Sequence, residues 1–391
     1  MPDRGRAWPQ QPWQGDDEVE RDDDDPREGG DAWAPRPPGF AARARGEGAG
    51  GRHRNAEFVL DPRWVERYAE RCARDAEALV GRLRKNERVL GKRARREGLE
   101  AWRLYDLDMP EVPLLIDRYG ESLHIGSRLR FGDQLAALES GWWEAILAAA
   151  AEGADVPRDR VWAKHRQRQP GGTVGRRATR GVTCVVCEGS YRFEVNLSDH
   201  LDTGLFLDHR ALRRHVQGEA EGRRVLNLFA YTGSFSVYAL AGGAASVTSV
   251  DLSATALRRC DQNLALNGLM GSRHHAVRAD VLRWLAEEAK RGRSWDLIVC
   301  DPPTFSRSKG MSGSWDVQRD HVTLLALALG VLAPGGSLYF STNHQSFEPG
   351  EQFERWGAEE TTSWTVPFDF PRSRPHRSWR LRAKEPGVQR A

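Results

Sequence analysis

No apolar run in this chain is long enough to cross a bilayer, and its N-terminus lacks the apolar core of a secretory signal. Cysteine is scarce. There are 5 in 391 residues, without the paired spacing of a disulfide framework, so a reducing compartment is expected. The strand-to-helix loop at 231–234 has only Gly233, with Gly242 and Gly243 too far along, and so lacks the G-x-G-x-x-G that a dinucleotide pyrophosphate needs for close backbone approach. A soluble cytoplasmic protein is therefore expected, with no membrane association and no site for a nicotinamide or flavin dinucleotide. Composition leaves the oligomeric state open.

Charge is abundant but uneven. Residues 1–50 hold 7 Arg against 12 Asp and Glu, a balance of −5, so the remainder carries +8 of the overall +3. A basic body with an acidic tail suits a polyanionic partner, and equally a well-solvated surface. Residues 1–54 are rich in Pro, Gly, Asp and Arg, include Asp22-Asp-Asp-Asp25 and show no sustained apolar period, so a disordered tail is expected. Trp8, Trp13 and Trp33 lie within it.

Residues 55–101 form the next unit. Val65, Tyr68, Ala69, Cys72, Ala76, Leu79, Val80, Leu83 and Leu90 recur at three- and four-residue spacing, which predicts one long helix or two over 61–97. Asp61-Pro62 supplies an N-cap and a first-turn proline. The other face is basic, with Arg82, Arg84, Lys85, Lys92 and Arg95 as candidates for phosphate contact; a solvated face balanced by Glu66, Glu70 and Glu87 is the alternative. Residues 102–198 read as a small β-rich α+β subdomain. It has strand-like pieces near 113–117, 122–125, 160–164, 183–187 and 191–195, and a helix over 132–151. Cys184 and Cys187 form a C-x-x-C. Without a second pair, and on opposite faces of a strand, they read as structural cysteines, and no metal site is expected.

From 199 to 391 the pattern alternates strand and helix. Strands are predicted at 224–229, 246–251, 274–278, 295–300 and 336–341, with two more in the tail near 362–366 and 378–382. Helices are predicted near 233–242, 254–267, 280–290 and 317–332. This order predicts a Rossmann-like α/β fold with the seven-stranded sheet of class I methyltransferases. The stretch Val225 to Ser236 is its centre: a strand, a tight turn at Tyr231-Thr232-Gly233-Ser234, then a helix N-terminus with free N–H groups. Asp251 ends the next strand, where a carboxylate can accept from a ribose diol. With one loop glycine and no phosphate cradle, S-adenosylmethionine (SAM) is the expected cofactor. Asp280 follows the third strand, placed to accept from an adenine amino group or to cap the next helix. The fourth strand ends in Cys300-Asp-Pro-Pro-Thr-Phe305. Asp301 sits at its carboxyl end, two prolines stiffen the turn, and Phe305 offers a face for a nucleobase.

Four segments carry a resemblance: Asn227-Leu-Phe-Ala-Tyr-Thr-Gly-Ser234, Asp301-Pro-Pro-Thr-Phe-Ser306, Asp316-Val-Gln-Arg-Asp-His321, and Asn196 to Arg210 with its Gly-Leu-Phe-Leu-Asp-His-Arg. In combination they resemble the bacterial 23S rRNA methyltransferases, above all the guanine-N7 half of the bifunctional K/L enzymes. Leu83-Arg-Lys-Asn86 and Leu104 to Pro110 resemble the segment before that half. The resemblance implies SAM-dependent methylation of guanine N7 in large-subunit rRNA by a free-standing module without the THUMP and N2-methyltransferase half. It also implies a cofactor site formed by Phe206, Asp208, Arg210, Asn227, Phe229, Tyr231, Thr232, Gly233, Ser234, Asp251, Leu252, Ser253, Asp280, Asp301 and Pro302.

A similar family methylates cytosine C5 and needs a Cys nucleophile after the fifth strand; here that stretch is Phe340-Ser-Thr-Asn-His344. Guanine N7 already carries an in-plane lone pair, so transfer needs positioning and no base. Asp301, Thr304 and Asn343 are expected to orient the guanine and Phe305 to stack on it. Arg307, Lys309, Gln318 and Arg319 are candidates for RNA contact, while His321 is expected to begin a helix. Cytosine-C5 methylation and a non-catalytic RNA-binding assembly role are the alternatives.

Overall fold

The computed structural model describes residues 62–127, 136–164, 181–198, 202–307 and 314–383. The acidic tail, Lys309 and the side chain of Arg307 lie outside the described residues.

The chain begins with α1 (Pro62–Asn86), a single π-helical turn (Glu87–Gly91) and α2 (Lys92–Arg96), followed by β1 (Ala101–Asp106), β2 (Leu114–Tyr119) and β3 (Ser122–Ser127). Next come α3 (Ala136–Ala154), β4 (Val161–Lys164) and a hairpin of β5 (Thr183–Glu188) and β6 (Tyr191–Asn196). The expected basic helix is thus continuous through a π turn, which shifts the helical phase at Arg88. Strands β1 to β4 form a four-stranded sheet. Its core joins Leu79 and Leu83 of α1, Ile116 and Ile125 of the sheet, and Trp142 and Ile146 of α3. Gly153 lets α1 and α3 close: a Cβ there would lie 2.9 Å from that of Leu83.

The second half comprises α4 (Arg210–Glu219), β7 (Arg224–Leu228), α5 (Ser234–Ala241), β8 (Ser246–Asp251), α6 (Ala254–Leu266), β9 (His274–Arg278), α7 (Val281–Lys290) and β10 (Trp295–Cys300). It continues through a short hairpin of β11 (Phe305–Arg307) and β12 (Ser314–Asp316), then α8 (Val317–Gly330) and β13 (Leu332–Thr342). The last elements are α9 (Gln352–Arg355), β14 (Glu359–Glu360), α10 (Thr362–Thr365) and β15 (Arg377–Arg382).

Seven strands form one sheet in the order β14-β15-β13-β10-β7-β8-β9. The five from β13 to β9 run parallel, β15 runs antiparallel to β13, and β14 antiparallel to β15. The tail departs from expectation in one respect. Residues 362–365 coil into α10, and the edge strand is the short β14 just before it. Thr361 and Thr362 bond to Ser378, capturing this turn against β15 in place of a longer ladder.

Strand alternation assigns two cores. Val225, Val247, Leu297 and Val299 face α4 and α5, while Leu226, Leu228, Val250, Ile298 and Phe340 face α7 and α8. The hairpin β5–β6 belongs to the first core through Val186, Phe193 and Val195. Its Glu188 forms a fully buried ion pair with Arg213 of α4 at 2.6 Å. The sheet order reverses between β7 and β10, so the crevice beyond their carboxyl ends is where this fold binds ligands.

Candidate active site

The loop after β7 is strained. Phe229 and Tyr231 both have positive φ, at 55° and 48°, and Gly233 follows at 72°. Two non-glycine residues in the left-handed region within three positions need surrounding structure to hold them. Asp251 provides it: its Oδ2 accepts from Tyr231 N at 2.8 Å and its Oδ1 from Ser253 N at 2.8 Å. Burial raises the Asp251 carboxyl, and these backbone donors oppose that shift. Each oxygen keeps a lone pair for a further donor such as a ribose hydroxyl. Leu252 accepts from Arg278 through its carbonyl, and Ser253 caps α6 by accepting from Ala256 N.

Thr232 is buried, donating to Gly204 O at 2.6 Å and accepting from Asn263 through its carbonyl. The Phe206 ring, 42% exposed, lies 5.5 Å from the Tyr231 ring of the loop after β7. Asp280 caps α7, with Oδ1 accepting from Arg283 N. Its other oxygen is not used by the cap, so the two readings of this residue are compatible.

Two residues expected at the cofactor site have other tasks. Asn227 is buried and donates to Ser236 Oγ at 2.9 Å, the start of a chain through Ser249 to His274. It ties α5 to the sheet from below the loop. Arg210 is 2% exposed, and its guanidinium pairs with Asp369 and donates to Ala101 O. It joins the C-terminal segment to β1. Both sit in motif segments, but motif spacing does not report side-chain direction.

Asp301 lies at the end of β10 beside the switch point. Its Oδ1 accepts from Ser341 Oγ at 2.6 Å, and its Oδ2 lies 3.3 Å from His209 Nε2. Burial raises this carboxyl. The His209 charge, its hydrogen bond and the Ser341 hydroxyl outweigh burial and hold it below the usual carboxylate range. Pro302 is buried, Pro303 O accepts from Trp315 Nε1 at 2.7 Å, and Thr304 Oγ1 donates to Asn343 Oδ1. Phe305 starts the β11–β12 hairpin, paired with Asp316. Asp301, Thr304, Phe305 and Asn343 are thus brought to one rim, with Asn343 exposed.

His209 and His376 were not visible as site residues in the sequence. They stack at 4.4 Å with an interplanar angle of 13°. His376 Nδ1 donates to Asp208 Oδ2 at 2.8 Å and its Nε2 meets Thr365 Oγ1 at 3.1 Å. Burial, then the His209 charge, keep the His376 imidazole below its ordinary pKa, as a neutral ring. Asp208 goes the other way: burial raises it, but His209 and His376 hold it well below the carboxylate range. Ligand-type atoms of Asp208, His209 and His376 lie within 4.8 Å of one another, but hydrogen bonding already accounts for Asp208 and His376.

The candidate RNA contacts divide. Arg82 lies 3.9 Å from Asp108, Arg84 2.9 Å from Glu152 and Arg95 3.1 Å from Glu87. Arg319 is occupied by Asp320 and the Ser314 carbonyl, and Gln318 by Glu348. Lys85 and Lys92 are exposed and have no ion pair among the described residues; Arg88 and Arg96 share this state. His321 is buried in α8, its Nδ1 directed at the Val317 and Gln318 carbonyls and its Nε2 accepting from Gly350 N. That wiring leaves it no catalytic role.

Residues 132–368 match the family model for S-adenosylmethionine-dependent methyltransferases. The chain is similar to the ribosomal RNA large subunit methyltransferase K/L of Stutzerimonas stutzeri, at 47% identity over 319 residues. It is also similar to the protein of that name from Pseudomonas aeruginosa, at 46% over 314 residues. Each match covers 80% of this chain but only 43% of the relative, so the chain spans less than half the length of these relatives. A methyltransferase structure complexed with SAH superposes with a TM-score of 0.62 at 23% identity, covering 78% of this chain and 81% of that one. A SAM-dependent methyltransferase from Streptococcus mutans gives 0.60 at 22%, with the same coverage. Both likenesses concern the fold.

Proposed function

The chain belongs to the S-adenosylmethionine-dependent methyltransferases, and we propose that it methylates large-subunit ribosomal RNA, at guanine N7. The ribosomal substrate is supported by the similarity to the K/L enzymes over 80% of this chain. The N7 assignment rests on one observation: Asp301 is fixed at the crevice as a carboxylate with a depressed pKa, flanked by no usable thiol.

A depressed carboxylate is a poor general base. It suits an acceptor that loses no proton, and guanine N7 is one. A cytosine-C5 route needs a thiolate. Cys300 adjoins Asp301 in sequence, but it is fully buried in the sheet and its thiol is pushed well above the ordinary range, by burial and then by the Asp301 charge. The other four cysteines lie on α1, β5 and α6.

The residues present fit the cofactor. Asp251 would accept from the ribose, Asp280 would meet the adenine edge, and the loop from Phe229 to Ser234 with Phe206 would hold the methionine end. When bound, SAM supplies an electrophilic methyl on a sulfonium. Asp301, Thr304 and Asn343 orient the base so that its N7 lone pair is in line, and Phe305 stacks on it. The Asp301 carboxylate favours the positive charge that the base acquires.

Lys85, Arg88, Lys92 and Arg96 are all exposed between the end of α1 and α2, across the π turn, and would neutralise RNA phosphates. With labelled SAM and large-subunit RNA from a strain lacking the gene, this reading expects incorporation into the RNA. An absence of label from that RNA would refute it.

A further inference from the structure

Asp208, His209, Asp301 and His376 come from three segments that meet only in the folded molecule. His209 is their centre. It is 4% exposed, stacked on His376 and edge-on to Phe235 at 5.7 Å. Its Nε2 faces two carboxylates, Asp301 at 3.3 Å and Asp208 at 3.8 Å. Its Nδ1 is buried with no partner among the described residues, so the ring works through Nε2 alone. A hydrogen on Nε2 is present in the imidazolium and in one neutral tautomer, so donation to Asp301 does not require the charged form. The side chain of Asp301 remains 27% exposed.

We propose that His209 is a positioning residue for methyl transfer: it locks the Asp301 carboxylate in register with the loop that begins at Phe206. The inference rests on the reading of Asp301 as a group facing the acceptor base. Three features carry it. Ser341 donates to one Asp301 oxygen and His209 Nε2 lies 3.3 Å from the other, so each carboxylate oxygen has its own partner. Residues 206–209 also carry Phe206, whose ring packs on Tyr231, so a single short segment joins Asp301 to the loop after β7. His376 is itself immobilised by Asp208 and Thr365, which gives the His209 ring a rigid platform.

A donor that only orients another group acts on the transition state more than on ground-state binding. Two variants separate this from packing. His209→Phe keeps a ring for the stack and removes the donor; His209→Gln restores a neutral N–H donor without the ring. In the full chain, H209F is expected to lower kcat by tenfold or more while KM for SAM changes less than threefold. H209Q is expected to recover kcat to within about threefold of the wild type. Equal kcat in H209F and wild type, or H209Q no better than H209F with both folded by thermal unfolding, would overturn the proposal.

A measurement without RNA keeps it separate from the ribosomal reading. NMR titration should place the His209 imidazole above its ordinary pKa, because Asp301 and Asp208 outweigh burial, Arg213 and neighbouring His376. Asp301→Asn should shift that titration down. An unchanged His209 titration in D301N means the two side chains are not coupled, and the proposal fails whether or not ribosomal RNA is methylated.

Discussion

A Cβ on Gly233 would fall 2.1 Å from the Sγ of Cys260 and 2.8 Å from its Cβ. The glycine of the loop after β7 is therefore required first by the packing of α5 on α6, and by its φ of 72°. A place in a tight turn was the role expected from sequence; contact with the neighbouring helix is the constraint the fold adds.

Gly233→Ala should consequently fail in two ways. Positive φ and overpacking together are expected to cost about 2–4 kcal/mol of unfolding free energy. Combining it with Cys260→Ala removes the Sγ clash but leaves the Cβ one, so denaturant unfolding of the double variant should show partial recovery. Full stability in the single variant would contradict the geometry.

Asp251→Ala removes the acceptor for Tyr231 N and Ser253 N together with the proposed ribose acceptor. Calorimetric titration should show SAM binding weakened by at least tenfold, and unfolding should show a loss of about 1–3 kcal/mol from the two orphaned donors. Unchanged SAM affinity would remove Asp251 from the cofactor site.

The Arg213–Glu188 pair joins α4 to the β5–β6 hairpin, and both side chains are wholly buried. Arg213→Met would strand the carboxylate, at a cost of about 3–5 kcal/mol. Burial raises the Glu188 carboxyl, but Arg213 outweighs it and holds the pKa below the ordinary glutamate value. The stability this contributes is present above the unfolded pKa and is lost as pH falls through the folded one. Acid unfolding of the wild type should thus steepen below about pH 4. In the double variant Arg213→Met, Glu188→Gln the contribution of this pair to that dependence should vanish.

Replacing Lys85, Arg88, Lys92 and Arg96 by Gln should weaken RNA binding without base preference. If all four meet phosphates, the slope of log affinity against log salt should become shallower by about 3, at 0.7–0.9 per contact. Arg84→Gln and Arg95→Gln, whose partners are Glu152 and Glu87, should change that slope little. Equal effects from both sets would mean the ion pairs open on binding.

Much of this molecule was legible along the chain. The Rossmann-like sheet, Asp251, the Asp280 cap and the Asp301-Pro-Pro turn all follow from local apolar periodicity and from acids placed just after strands. What stayed hidden depends on long-range contact. His376 meets His209 across 167 positions, so neither ring announced itself. Arg210 and Asn227 sit inside motif segments, yet buried partners, Asp369 and Ser236, decide where they point. The free cations of the helix could be told from the paired ones only once Glu152 of α3 and Asp108 were in place. Near the C-terminus, Thr362–Thr365 had a strand-like pattern but coils, because its hydroxyls bond to Ser378.

The central claim is that the methyl acceptor is guanine N7. Large-subunit RNA from a strain lacking the gene, treated with this protein and SAM, should gain one site of borohydride–aniline cleavage, the signature of 7-methylguanine. Methyl label found only at cytosine, or on a guanine that resists that cleavage, would contradict it.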